Sequence, residues 1–293
     1  VTEALASGSG PDLFLMRQDH AYADSGKIYP IPFDTFSETQ FQNTFIEAAE
    51  PFVGENGIIA IPLLADPLVL YWNRDMLSSA GYANPPLYWD EVNGMARNIT
   101  KRNDAGQLLK STVSFGEYQN VAHAKDVLGL LMLQAGVSIT GKNKPGQLVP
   151  ALQPTAGGSS LAESALRFFT EFADPSKASY SWSRALPPSL SAFAAGDLAL
   201  YVGYASEKPA IASMNPNLNF AVAPIPQIRS SQQSSGRVLD VARVYALATA
   251  RTTKNPSGSA TAAFVLASAD VSRSLSAVYG LPSARRDGLS GSA

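Results

Sequence analysis

Short apolar segments of strand length alternate with segments of helical periodicity along the whole 293-residue chain. The patterns that indicate strands lie at 12–16, 57–62, 67–72, 111–115, 198–202, 220–223 and 244–249. The patterns that indicate helices lie at 21–25, 37–49, 88–102, 121–134, 161–172, 187–195, 257–267 and 271–279. This alternation predicts a layered α/β architecture. The length suits two lobes or one large domain better than one small core.

The charge and cysteine content exclude several classes of protein. A net charge of −2 offers no attraction for a polyanion, so we expect no nucleic-acid partner. The absence of cysteine removes disulfides, thiolate metal sites and cysteine nucleophiles from this chain. The two histidines, His20 and His123, lack metal-ligand spacing to each other or to an acidic cluster. We therefore expect no metal and no cofactor.

The ends of the chain and its apolar runs bear on the cellular compartment. No apolar run approaches the roughly 18 residues that span a bilayer, and no signal-peptide pattern is present. The chain starts at Val1 and ends in Gly291-Ser292-Ala293. We expect both ends to be cuts in a longer protein, so the missing signal does not identify the compartment.

Five short motifs follow one another between residues 10 and 282. They are Gly10-Pro11-Asp12-Leu13-Phe14 with Asp19 after it, Ile61-Pro62 leading to Leu70-Tyr71-Trp72-Asn73-Arg74-Asp75-Met76-Leu77, Pro86-Leu87-Tyr88-Trp89-Asp90-Glu91-Val92, Phe193-Ala194-Ala195-Gly196-Asp197-Leu198-Ala199-Leu200, and Ala223-Pro224-Ile225-Pro226. In this order and spacing they resemble the family 1 extracellular solute-binding proteins. The chain departs from the family pattern at Gly203-Tyr204-Ala205, where the family commonly has Gly-Pro-Trp. The family's first strand–helix units and last helices are also missing.

The resemblance implies a periplasmic-binding-protein-like type II fold, in which a hinge joins two α/β lobes around a central cleft. We place lobe one at 1–66 plus 237–280 and lobe two at 67–236. The polar run at 229–236 is the linker on the return between the lobes. Residues 281–293 then begin a truncated return to lobe two.

The same resemblance implies the solute-binding subunit of an ABC importer. Such a subunit closes its hinge on a sugar or oligosaccharide and delivers it to the transmembrane permease subunits. We expect a monomer without enzymatic activity, either periplasmic or lipid-anchored to the outer face of the cell membrane. Sugars stack on aromatic rings, and their hydrogen bonds to charged side chains contribute about 1.5–3 kcal/mol each.

The first candidate ligand-binding residues follow two predicted strands. Arg17 and Asp19 leave the first strand, and the resemblance implies that the loop after that strand faces the ligand. A solvated loop or a helix cap would also suit Asp19. Glu117 and Tyr118 follow the strand at 111–115, and Tyr118 supplies an aromatic ring for stacking beside polar groups.

Further candidates come from the aromatic residues and from the returning strand. Tyr204 lies where the resemblance implies an aromatic pocket. Trp182 lies in a Ser-rich stretch, where it either stacks on a sugar or covers a short helix. Tyr71 alternates with its neighbour on a crossing strand, so one of the two faces the core. Asp240 and Arg243 flank the returning strand and either reach the cleft or pair with each other or with neighbours.

Three other functions remain open at the level of sequence. A carbohydrate-active enzyme would use two carboxylates, and no local motif singles out a pair among 24 acidic residues. The same fold could bind a non-sugar solute such as a polyamine or a peptide. It could also serve as a sensor or adhesion module that transports nothing.

Overall fold

The computed structural model describes residues 2–143, 148–152, 160–229 and 238–291 and confirms the mixed α/β fold. The strands are β1 (Leu13–Arg17), β2 (Val53–Gly54), β3 (Gly57–Ile58), β4 (Ala60–Asn73), β5 (Lys101–Arg102), β6 (Leu108–Val113), β7 (Thr140–Lys142), β8 (Leu148–Pro150), β9 (Leu198–Tyr204), β10 (Phe220–Ala223) and β11 (Ala242–Thr249). The helices are α1 (Thr2–Ala6), α2 (Ala21–Asp24), α3 (Glu38–Thr44), α4 (Arg74–Ser79), α5 (Trp89–Ile99), α6 (Ala124–Gln134), α7 (Leu161–Glu171), α8 (Ser189–Ala194), α9 (Lys208–Met214), α10 (Pro256–Leu266) and α11 (Ala269–Tyr279). The predicted linker at 229–236 lies outside the described residues from position 230 onward.

The chain divides into two compact units. Unit one comprises Val1–Pro67 and Ala242–Ala293, and unit two comprises Leu68–Val241. The sequence pattern places the corresponding boundaries after residues 66 and 236. The long strand β4 contributes its first half to unit one and its second half to unit two.

Unit one is built on three antiparallel strands in the order β1, β11 and the first half of β4. β1 pairs with β11 from Leu13 opposite Thr249 to Arg17 opposite Tyr245. Aromatic and aliphatic side chains from these strands and from the segments around α3 form the core. Its fully buried large members are Ile28, Phe41, Phe52, Ile58 and Ile61. Removing such side chains from water is the main stabilising contribution to this unit.

Helix α3 shows how local sequence sets a helix start in unit one. The Ser37 hydroxyl accepts from the Gln40 backbone N–H at 3.2 Å, and the Gln40 side chain accepts from the Ser37 N–H at 2.9 Å. This is the predicted capping box, which satisfies two helix-end donors at once. The helix ends before Phe45, earlier than the predicted residue 49, because Phe45 is extended and bridges to Arg285.

The described part of the segment at 281–293 belongs to unit one, whereas the sequence reading has it begin a return to lobe two. The Ala65 N–H donates to the Pro282 carbonyl at 2.9 Å, and the Ala284 N–H donates to the Leu63 carbonyl at 3.0 Å. Ala284 is fully buried in the core of unit one. The segment stays in this unit because it satisfies backbone groups of β4 that β11 does not reach.

Unit two contains a five-stranded sheet in the order β10, the second half of β4, β9, β6 and β5. β9 runs parallel to β6, and the other pairs are antiparallel. All seven residues of β9 are buried, so this strand lies at the centre of the unit. The predicted strand at 198–202 is therefore confirmed and extends by two residues to Tyr204.

Helix α5 covers this sheet with the apolar face that its sequence predicts. Trp89, Val92, Met95, Ala96 and Ile99 are all buried. The Trp89 ring packs on other aromatic residues of the core, and its Nε1–H donates to the side chain of Gln134 at 2.7 Å.

Across the described residues, we find no helix with the length and apolarity that a membrane crossing requires.

Candidate functional site

Two segments of unit two bring four polar side chains together. His123 and Asp126 come from the start of α6, and Tyr204 and Glu207 come from the end of β9 and the turn after it. His123 Nε2 contacts the Glu207 carboxylate, and the Tyr204 hydroxyl donates to Asp126 at 2.9 Å. The His123 and Tyr204 rings meet edge to face with centroids 4.8 Å apart. We call these four residues the α6–β9 cluster.

The backbone of His123 is left-handed, with φ 59° and ψ 24°. Within the described ranges, it is the one residue other than glycine that has a positive φ. An L-amino acid adopts this conformation at a cost of about 1–2 kcal/mol, and such outliers concentrate at functional sites. The sequence pattern predicts that the helix starts at residue 121, but α6 starts at Ala124 because the left-handed residue interrupts the helical backbone.

Tyr201 supports the cluster from the buried side. Its hydroxyl donates to the second Glu207 carboxylate oxygen at 2.6 Å, and its ring is fully buried on β9. Burial first, and then the neighbouring charge and hydrogen bond of Glu207, raise the pKa of Tyr201 well above its ordinary value. The phenol therefore stays protonated and acts as a donor.

Gly203 provides the space in which Glu207 and Tyr201 meet. A Cβ atom at this position would overlap both the Glu207 carboxylate and the Tyr201 ring. The glycine is required for this close approach and not for a left-handed backbone. The sequence Tyr201-Val202-Gly203-Tyr204 therefore encodes the cluster's geometry as well as the strand.

The loop after β6 carries two of the predicted candidates close together. Gly116, with φ 91°, turns the chain out of the strand, and a Cβ atom at this position would overlap Ala173. Glu117 accepts from the Arg184 Nε–H at 3.3 Å. Tyr118 is 76% exposed, so its ring is open to a solute.

Trp182 and Tyr71 are buried, which favours the core role that the sequence left open for each of them. Trp182 has no exposed surface, and its Nε1–H donates to the Asn120 side chain at 3.1 Å. Tyr71 is equally buried, stacks on Tyr201, and donates its hydroxyl to the Tyr204 carbonyl at 2.7 Å. Both large rings fill the interior of unit two, and both polar atoms have protein partners there.

Tyr204 is positioned differently from a stacking residue on an open pocket wall. Its side chain is 2% exposed and packs edge to face with His123. Its hydroxyl reaches a more accessible group, the Asp126 carboxylate, whose side chain is 20% exposed. Tyr204 therefore orients Asp126 and does not offer its own ring face.

Arg17 and Asp19 form an ion pair at the end of β1 in unit one. The Arg17 Nε–H donates to Asp19 at 3.0 Å, and a second guanidinium N–H reaches the other carboxylate oxygen. Partial burial raises the pKa of Asp19, but the hydrogen bond and charge of Arg17, with His20 adding, outweigh it and keep the pKa below its ordinary value. Gln18, between them, bonds to β11 through both its amide nitrogen and its oxygen.

Asp240 and Arg243 fall on opposite sides of the unit boundary. Asp240 belongs to unit two and accepts from the Val241 N–H at 2.7 Å. Although the residue is exposed overall, protein crowds its carboxyl group, and the loss of hydration raises the pKa to about 7. Arg243 belongs to unit one and lies opposite the buried Asp66 in the ladder between β11 and β4.

Four residues of this region escaped the sequence reading: Asp126, His123, Glu207 and Tyr201. The sequence marks His123 neither as a metal ligand nor as a catalyst. The described residues contain no group of three His, Cys, Asp or Glu that could hold a metal. A signal was nevertheless present, because His123 and Asp126 open a helix that directly follows the Glu117–Tyr118 loop. Glu207 gave no such signal, since its partner His123 lies 84 positions away in the chain. Tyr201 joins the cluster through Glu207.

The α6–β9 cluster can bind hydroxyl groups. Carboxylates accept hydrogen bonds, and an imidazole can donate or accept according to its protonation. The side chains of His123, Glu207 and Asp126 are 18%, 17% and 20% exposed, so each retains an accessible edge. The exposed Tyr118 ring adds an apolar face from the same unit.

The sequence matches one family over almost its full length. The model of the family described as bacterial extracellular solute-binding protein matches residues 1–287. A binding protein of Brucella abortus strain 2308 is 33% identical over 69 residues, and one of Brucella suis biovar 1 has the same identity over the same length. These alignments cover 23% of this chain and only 17% of the length of the curated relatives.

Solved structures share the fold at low sequence identity. The mannobiose-bound protein CpMnBP1 has a TM-score of 0.70 and 21% identity, with 99% of this chain and 71% of that chain covered. An ABC transporter solute-binding protein from Thermotoga lettingae TMO, bound to α-D-tagatose, has a TM-score of 0.67, 20% identity and coverages of 99% and 71%. A cyclo/maltodextrin-binding protein with maltotetraose has a TM-score of 0.71, 16% identity and coverages of 99% and 68%.

Proposed function

Because the chain belongs to the bacterial extracellular solute-binding proteins, we propose that it binds a small neutral carbohydrate and delivers it to the permease subunits of an ABC importer. The family is extracellular. Within that setting, we propose a monomer that is either periplasmic or lipid-anchored to the outer face of the membrane, and that releases its solute unchanged.

The observation that carries the proposal is the fold shared with proteins that hold sugars. Three structures that cover nearly all of this chain contain mannobiose, α-D-tagatose or maltotetraose. The α6–β9 cluster and Tyr118 supply the two kinds of contact that a sugar needs. Carboxylate and imidazole groups bind hydroxyls, and an exposed aromatic ring stacks on the C–H face of a sugar ring.

Other predicted residues remain candidates for solute contact within their own units. In unit one they are Arg17, Asp19 and Arg243, and in unit two they are Glu117 and Asp240. The ion pairs of Arg17 with Asp19 and of Glu117 with Arg184 hold these side chains in defined orientations, which lowers the entropy lost when a solute binds. We propose these residues as secondary contacts.

A polyamine is the second candidate solute, favoured by one specific observation. Asp126 and Glu207 are two accessible carboxylates beside aromatic rings, an arrangement that also suits an ammonium group. Glu207, however, already accepts from Tyr201 and contacts His123, so less of its charge is available to a cation. We therefore favour a neutral polyol.

A binding panel tests the proposal. The purified protein is heated with mannobiose, tagatose, maltotetraose, spermidine or a short neutral peptide, and each melting temperature is compared with that of the protein alone. A sugar at 100 times its Kd adds about 2.7 kcal/mol of stability, so we expect a rise of about 5 °C or more. A rise with spermidine alone would reject the sugar proposal. Detection of a cleaved or modified sugar would reject the absence of turnover.

A further inference from the structure

We propose that His123 is a solute-contacting residue of unit two, and that Glu207 and Tyr201 are positioning residues that hold its imidazole in one orientation and one tautomer. This inference rests on the proposed function, because it names residues that would grip the sugar. It also makes a claim about the solute-free protein, which can be tested by itself.

The orientation of the imidazole follows from two contacts. Nε2 contacts Glu207, and the His123 and Tyr204 rings meet edge to face with an interplanar angle of 82°. Together with the left-handed backbone of His123, these contacts define where the ring points. The cost of that backbone conformation is about 1–2 kcal/mol. A conformation at this cost persists where its surroundings enforce it, and the Glu207 and Tyr204 contacts do so.

The tautomer follows from the chemistry of the carboxylate. An ionised carboxylate only accepts hydrogen bonds, so the Nε2 atom that contacts Glu207 must carry a proton. Tyr201 donates to the second oxygen of Glu207 at 2.6 Å, which fixes the orientation of that carboxylate. In the neutral imidazole, Nδ1 is then the unprotonated nitrogen, as in metal sites where a carboxylate sets the histidine tautomer.

The location of this pair favours contact with a solute over a purely structural role. Both side chains remain 17–18% exposed, whereas Tyr201 behind them is fully buried. Asp126, one turn further along α6, is held by Tyr204 in the same way. The exposed edge of the cluster therefore combines a fixed imidazole with a fixed carboxylate.

These two groups together favour an uncharged polyol with neighbouring hydroxyls. A carboxylate accepts a hydrogen bond from one hydroxyl. An imidazole of defined tautomer donates to or accepts from the neighbouring hydroxyl through a defined nitrogen atom. Lys125 Nζ lies 3.9 Å from Asp126 and its side chain is 82% exposed, so this lysine is a solvated cation and not a buried counter-ion of Asp126. A sugar matches this pattern, because each hydroxyl can donate and accept.

Nitrogen-15 NMR of the histidine side chains tests the positioning role without any solute. The chain has two histidines, so a His20→Gln variant suffices to assign the His123 signals. We expect the neutral imidazole of His123 to be the Nε2-protonated tautomer in the wild type and a mixture of tautomers in Glu207→Ala. Glu207→Gln keeps an acceptor and should restore the wild-type pattern. An unchanged pattern in Glu207→Ala would overturn the positioning role.

Matched controls separate positioning from general damage to unit two. Glu163→Ala removes an exposed carboxylate that pairs with Arg167 on α7, and Tyr82→Phe removes a surface hydroxyl that accepts from Asn98. Both should leave the His123 signals and sugar affinity unchanged. Tyr201→Phe should weaken sugar binding about fivefold to tenfold, the loss expected for one hydrogen bond.

Titration with mannobiose and maltotetraose tests the contact itself. We expect the His123 nitrogen signals to shift along the same isotherm that calorimetry gives for the sugar. Binding of either sugar without such a shift would overturn the contact role and leave the proposed function standing. If no sugar of the panel binds, the proposed function fails together with the contact role, and the tautomer measurement still decides the role of Glu207.

Discussion

The Tyr204 hydroxyl donates a 2.9 Å hydrogen bond to the Asp126 carboxylate, across 78 positions of the chain. We expect Tyr204→Phe to lower the free energy of unfolding by about 1–2 kcal/mol, because a partly buried carboxylate loses a donor. Sugar affinity should also fall, because Asp126 loses the hydroxyl donor that orients it. Chemical denaturation and calorimetry measure the two effects. An unchanged affinity would mean that Asp126 does not contact the sugar.

Trp182→Ala should act on stability rather than on solute binding. The side chain has no exposed surface, so its removal leaves a large cavity and frees the Asn120 side chain from its indole donor. Truncations of this kind cost about 3–5 kcal/mol. We expect a sharply lower melting temperature, with the sugar affinity of the remaining folded protein close to that of the wild type. Retained stability with lost binding would place Trp182 at the solute after all.

Gly203→Ala should disturb the cluster although it adds only one methyl group. The new Cβ would overlap the Glu207 carboxylate and the Tyr201 ring, so Glu207 must move away from His123. We expect weaker sugar binding and a mixed His123 tautomer in nitrogen-15 spectra. Gly94→Ala, on the open side of α5 with no heavy atom within 4 Å of its Cβ, is the matched control. It should leave both quantities unchanged.

The Arg17–Asp19 pair should stabilise unit one only above acidic pH. Burial raises the pKa of Asp19, but Arg17 outweighs it, so the folded pKa lies below the ordinary 3.8. A depressed carboxyl pKa contributes stability above the unfolded value, and that contribution is lost as pH falls through the folded value. We expect Asp19→Asn to be less stable than the wild type at pH 7 and equally stable well below pH 3.8. Carboxyl NMR should show the pKa rising towards 3.8 in Arg17→Met.

Asp240 should give the opposite pH dependence. Crowding by protein raises its folded pKa to about 7, from an ordinary value of 3.8. Between these values the folded state binds more protons than the unfolded state, so stability falls as pH rises. We expect Asp240→Asn to be more stable than the wild type at pH 8, and the difference to vanish near pH 4. Thermal unfolding across pH 4–8 measures this, and a constant difference would contradict the raised pKa.

Features that depend on neighbours in sequence could be read from the chain alone. The Ser37–Gln40 capping box, the apolar face of α5 and the strand at 198–202 are all confirmed. Each is local, because a helix cap spans three residues and the periodicity of one element is written in its own side chains. The ordered motifs from residue 10 to 282 also identified the family, which the match over residues 1–287 confirms.

Tertiary structure alone decided which of the polar and aromatic residues meet. Tyr71 and Trp182 are aromatic residues of the kind that stack on ligands. Only the packing of unit two shows that they are buried. His123 meets Glu207 across 84 positions because β9, which leads to Glu207, lies beside β6, which leads to α6. The local sequence around either residue does not predict this contact, because the order of strands in the sheet is set by the simultaneous burial of many apolar faces.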